Sequence, residues 1–95
     1  MPRLETRIAT AHASRYLQQL CKHWSHRLAV SFTPQEGRVD FGEGRGVCTM
    51  QAAPDALTLA VESADANVAA GLSGVVFEHL KRFAFRENLA DPVWS

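Results

Sequence analysis

Along the chain, apolar positions recur first at every second residue, then at every third or fourth, then at every second again. Leu4, Thr6 and Ile8 fall on one side of a stretch whose other side carries Glu5 and Arg7, the pattern of a half-buried strand over Leu4–Thr10. From about His12 to Arg27 the period lengthens. At about 100° per residue, Ala13, Tyr16, Leu17, Leu20, Cys21, Trp24 and Leu28 collect in one arc, which predicts an amphipathic helix. Alternation then returns. Leu28, Val30 and Phe32 predict a second strand, turned by "TPQEG", and Val39 and Phe41 a third, closed by "GEGRG". Cys48, Met50 and Ala52 predict a fourth strand, "APDA" a turn, and Leu57, Leu59 and Val61 a fifth strand. Asp65 suits an N-cap. A long helix is predicted from there to about Glu87, with Val68, Leu72, Val75, Val76, His79, Leu80 and Phe83 in its apolar stripe.

Four strands in succession with short turns favour antiparallel pairing. The expected architecture is therefore α+β: a β-α-β-β-β-β-α two-layer sandwich with both helices on one face of the sheet. This order resembles helix-grip and TATA-binding-protein-like domains, a likeness of architecture that carries no function. The 95 residues match one domain, 1–95, with no repeat or linker. Phe77 is expected on the side of the last helix opposite its stripe. The outer sheet face is expected to carry Ala29, Ser31, Val47, Thr49, Thr58 and Ala60. An exposed Phe77 and a weakly polar face together predict a homodimer.

Composition narrows the setting. An apolar share of 46% belongs to a globular chain. Two cysteines are too few for a disulfide framework and fit a reducing cytoplasm. No stretch has the apolar core of a signal peptide or the roughly 20 apolar residues of a membrane span. The expected location is cytoplasmic, without a membrane partner. Net charge is zero, yet the first thirty residues hold Arg3, Arg7, Arg15, Lys22 and Arg27 against Glu5 alone, a net of +4. That basic surface either attracts a small anion or an acidic partner, or is balanced by the acidic half of its own fold.

Several chemistries are excluded. "GEGRG" lacks the Lys-Ser/Thr ending and following helix of a phosphate loop. No serine sits in a nucleophile elbow. The aromatic residues are not interleaved with basic ones as a base-stacking platform, so no nucleic-acid partner is expected. No cofactor is called for.

The stretch Tyr16–His26, "YLQQLCKHWSH", holds the candidate chemistry. Cys21 and His23 are two positions apart and project to different sides of a helix, so they cannot share an ion. Cys21 belongs with Leu17 and Trp24 in the core arc, and Cys48 alternates inward with Met50. Both thiols are expected to be buried and free. His23 and His26, three positions apart, would be neighbours on the helix surface and could hold a metal weakly. Zinc ordinarily takes at least three protein ligands, so a third would have to come from His79 or a carboxylate. The plainer reading makes them flank histidines beside the buried face. His79, inside the stripe of the last helix, needs partners for its ring nitrogens. Either a backbone carbonyl or water satisfies it, or it marks a ligand site. Gly71 and Gly74 in the same helix either allow close packing on the sheet or leave room for something small. The candidate ligand-binding residues are thus His23, His26, His79 and Arg27, with His23 and His26 as the metal pair.

The segments "RIAT", "SRYLQQLCKHWSH", "GRVDFGEGRGVCTM" and "HLKRFAFRENL" together resemble a family of small bacterial proteins known as domain of unknown function 2218, over nearly the whole chain. The resemblance implies no established activity. It does imply an association with siderophore and iron utilisation, hence an iron chelate as one class of ligand. Sugar-acid aldolase labels also circulate in such families; an aldolase barrel needs about 250 residues, which this chain lacks. Three readings follow. The first is a non-catalytic domain that binds a small anionic ligand or an iron chelate, or serves as an accessory to its metabolism. The second is a small enzyme using His23 or His26 as acid/base. The third is a structural dimerisation module.

Overall fold

A computed structural model describes residues 2–42, 45–87, 89 and 92–95. The elements follow in the expected order. They are β1 (Arg3–Ala9), α1 (Ala13–Trp24), β2 (Ala29–Phe32), β3 (Glu36–Asp40), β4 (Val47–Ala52), β5 (Ala56–Glu62), α2 (Ala66–Phe83) and a 3₁₀ turn (Phe85–Glu87). The sheet order is β1-β5-β4-β3-β2 and every pairing is antiparallel. The two ends of the α1 crossover thus lie at opposite edges of the sheet, and both helices cover one face.

The turns behave as their residues dictate. Pro34 and Pro54 open tight connections, closed by Thr33 N–H to the Glu36 carbonyl (2.7 Å) and Ala53 N–H to the Ala56 carbonyl (2.8 Å). Asp65 caps α2, accepting from Asn67 N–H at 2.7 Å and Val68 N–H at 3.3 Å. In α1 the buried residues are Ala13, Tyr16, Leu17, Leu20, Cys21 and Trp24, the arc expected from spacing. They meet the inward residues Val39, Cys48, Met50, Leu57, Leu59 and Val61 of the sheet. Each fully buried leucine contributes about 1.5–3 kcal/mol. Gly37 marks the closest approach of helix to sheet: a Cβ there would lie 2.8 Å from Cys21 Sγ and 3.3 Å from Leu17 Cδ2.

Three expectations are corrected. First, α1 ends at Trp24 rather than Arg27. The Ser25 hydroxyl donates to the Lys22 carbonyl (2.8 Å), and Arg27 and Leu28 N–H both converge on the Trp24 carbonyl (3.1 and 2.9 Å). The final turn therefore loosens as the chain swings into β2. Second, α2 stops at Phe83 and gives way to the 3₁₀ turn. Third, the buried face of α2 consists of Ala69, Leu72, Ser73, Val76, Phe77 and Leu80, rotated by roughly 60° from the expected stripe. Phe77, expected outside, is in the core, while Val68 and Val75 are 36% and 38% exposed. Turned this way, the helix buries the large ring of Phe77 and leaves Val68 and Val75 at the margin of the core. Gly71 and Gly74 have nothing within 4 Å of a built Cβ, so neither serves close packing on the sheet.

The outer sheet face carries Ala29, Ser31 and Thr49 exposed and Val47 and Thr58 half-buried, as expected. Ala60 is buried there, its methyl hidden between larger neighbours on β1 and β4. The sheet's two edges differ. On β1, Glu5 and Ser95 exchange both backbone hydrogen bonds at 3.0 Å, with Trp94 packed against the core. On β2, the bond from Thr33 to Glu36 fixes the parity, so the backbone groups of Val30 and Phe32 point away from β3 to an open edge.

Candidate functional site

The structure brings together two histidines that lie 56 positions apart, His23 and His79. His23 is in the last turn of α1, while His26 and Arg27 lie exposed in the loosened turn beyond it. His23 faces α2 instead. Its ring centre lies 5.3 Å from that of His79 and 5.9 Å from that of Phe83. Trp24 backs the pair, 5.2 Å from His79 and 5.1 Å from Phe41 between ring centres. This arrangement follows from the helix packing, since α1 and α2 run side by side and the rotated α2 turns His79 toward α1 rather than into the core.

The imidazoles differ in freedom. His79 is half-buried, and its Nδ1 lies 2.7 Å from the Val75 carbonyl one turn earlier. A carbonyl only accepts, so Nδ1 carries the hydrogen and neutral His79 presents its lone pair at Nε2. His23 is exposed and, among the described residues, is held by its aromatic neighbours. One turn before it on α1, Gln19 Oε1 is shut from solvent and, among the described residues, has no hydrogen-bond donor. Among the described residues, no group of three or more His, Cys, Asp or Glu side chains is arranged around a common point. The larger clefts open elsewhere. Two, of about 410 and 430 Å³, lie along the outer sheet face and share Arg38 and Thr49. A third, of about 410 Å³, lies between β1 and Leu89, Pro92 and Val93. The imidazole pair is thus a surface edge, not the floor of a pocket.

Both cysteines are free and fully buried, as expected. Burial pushes the Cys21 thiol up to about 11; burial, with Cys21 nearby, pushes Cys48 up to about 12. Neither is poised as a nucleophile or metal ligand. The basic surface is partly neutralised within the fold. Arg3 pairs with Glu5 (2.9 Å) and Glu62 (3.2 Å), and Arg7 with Asp55 (3.3 Å). Arg15, Lys22 and Arg27 remain exposed on or just after α1 without an ion pair among the described residues.

One polar cluster escaped the sequence reading. Thr10 Oγ1 donates to Glu87 Oε1 at 2.8 Å, the Tyr16 hydroxyl donates to Glu87 Oε2, and Thr10 Oγ1 accepts from His12 N–H at 3.1 Å. The Tyr16 bond, with help from Thr10 and nearby His12, holds the Glu87 carboxyl below its ordinary value. Burial, and then the carboxylate, push the Tyr16 hydroxyl up to about 12. The cluster fastens the 3₁₀ turn to the β1–α1 junction. Its members lie 71 and 77 positions apart, and no local pattern marks a carboxylate for so distant a partner.

Comparison with known proteins agrees with this architecture. The model of a family described as uncharacterised proteins conserved in bacteria (DUF2218) matches residues 5–95. The chain belongs to this family. Among solved structures, the NMR structure of PA4090 from Pseudomonas aeruginosa is similar to this chain, superposing with a TM-score of 0.83 at 37% identity and covering 100% of this chain and 96% of that one. No curated protein matches. Among the described residues, no helix is long and apolar enough to cross a membrane.

Proposed function

We propose that this DUF2218 domain is a non-catalytic binding domain whose ligand edge is the groove where α1 and α2 bring His23 beside His79. The observation that carries it is the meeting of two imidazoles from different helices against an aromatic wall, one pinned by a backbone carbonyl and one free to turn. Nothing encloses them, so the edge suits a small ligand gripped by direct contact rather than a molecule engulfed by apolar walls. Lys22, beside His23, and Arg27, just beyond α1, add positive charge and favour an anion or a metal complex. The link with iron-chelate metabolism rests on the family resemblance and supplies one such ligand class.

Nuclear magnetic resonance tests this reading. Imidazole signals of the folded chain are followed while inorganic phosphate, citrate, ferric citrate and zinc chloride are each titrated in. A saturable shift of the His23 and His79 signals with at least one probe is the expected result. A panel that leaves both histidines unmoved rejects the reading.

A further inference from the structure

We infer that His23 and His79 form a cis pair of ligands for a divalent transition metal whose remaining positions are filled by water or a small chelator. The inference rests on the binding edge proposed above and assigns its chemistry. Two observations lead to it. The first is spacing. An ion about 2.0–2.1 Å from a nitrogen of each ring lies about 3.2 Å from each ring centre, and a tetrahedral angle then sets the centres about 5.2 Å apart. The rings lie 5.3 Å apart with nothing bridging them. Rotation of exposed His23 aims its nitrogen without moving either helix.

The second observation is the bond from His79 Nδ1 to the Val75 carbonyl (2.7 Å). Metal-ligating histidines ordinarily give their other N–H to a carbonyl or carboxylate, which fixes the tautomer and orients the ring. His79 therefore has its outer partner already in place and offers Nε2.

The donor set decides the class of ion. Two neutral imidazoles favour copper(II), nickel(II), zinc(II) or iron(II) over magnesium, calcium or manganese, which prefer oxygen donors. Two protein ligands leave the sphere incomplete, and no third is arranged nearby among the described residues. The pair therefore takes an ion that brings its own ligands along, either waters or a chelator leaving two adjacent positions open. A fully wrapped ion offers no position to either ring and is refused.

The test uses untagged protein and copper(II) iminodiacetate, a chelate with open positions. Calorimetric titration is expected to give one equivalent per chain. His23→Ala and His79→Gln should each weaken binding by about tenfold or more, while His12→Ala and His26→Ala leave it unchanged. Nickel(II) iminodiacetate added to the unaltered chain should broaden the His23 and His79 ring signals before those of His12 and His26, a readout that does not depend on any variant folding. Equal loss in His26→Ala, full binding by His79→Gln, or no uptake by the unaltered chain overturns the inference. Phosphate or citrate moving the His23 and His79 signals while the copper chelate does not would overturn the metal assignment alone and leave the binding edge standing.

Discussion

At the scale of single residues, Gly37 carries a tight constraint between helix and sheet. Its missing side chain lets Cys21 and Leu17 rest on the strand, and a methyl group there meets Cys21 Sγ at 2.8 Å. Gly37→Ala is expected to lower stability by about 1–3 kcal/mol, outweighing the gain of a β-carbon in a strand. Removing the sulfur should relieve it, so Cys21→Ala combined with Gly37→Ala should cost less than the two changes summed. Denaturant unfolding of the four proteins measures that coupling, and strictly additive costs would show that the contact is not the cause. The inward place of Cys21 was readable from its arc. The need for glycine opposite it was not, because the two meet only when α1 lies across β3.

At the scale of elements, period and turn chemistry were enough to name every strand, both helices and the Asp65 cap. The face of α2 was not settled that way. Val68, Val75 and Phe77 are all apolar, and spacing alone ranks a stripe through the valines as highly as one through Phe77. Tertiary packing makes the choice, with Phe77 buried in the core and the two valines left partly exposed. Phe77→Ala should accordingly destabilise the fold by about 3–5 kcal/mol, while Val75→Ser changes it by about 0.5 kcal/mol or less. Thermal melts of both variants check this, and the reverse ranking would restore the stripe through Val68 and Val75. The histidine site was half legible for a related reason. His23 and His79 were each visible as candidates, but their pairing depends on the rotation of α2 and on α1 ending at Trp24. With Phe77 inside, the case for a homodimer loses its aromatic anchor and keeps only the outer sheet face.

At the scale of the whole molecule, Glu87 is a latch between the end of the helical layer and the beginning of the chain. Its folded carboxyl titrates below the ordinary 4.5. The latch therefore contributes fully above that value and fails as pH falls through the lower folded value. Tyr16 works in the other direction: its folded value of about 12 exceeds the ordinary 10.0, so its contribution is complete below pH 10 and lost between there and about 12. Glu87→Gln should cost about 1 kcal/mol at pH 7, the low end for a charge-assisted bond because the carboxylate is only half-buried. The melting temperatures of variant and parent should converge as the pH is lowered toward 3. A constant gap across the acid range would dismiss the latch.

The unequal edges of the sheet bear on growth. A sheet with two bare edges can accept a neighbour on each side, and every copy added exposes another edge, so strand addition has no natural end. Here β1 is engaged at Glu5 by Ser95, whereas among the described residues β2 leaves its outward groups at Val30 and Phe32 unpaired. The two edges are in this respect unequal. Two copies joined through β2 would each turn outward a β1 edge interrupted by Ser95, which hinders strand-wise assembly from running on into a fibre.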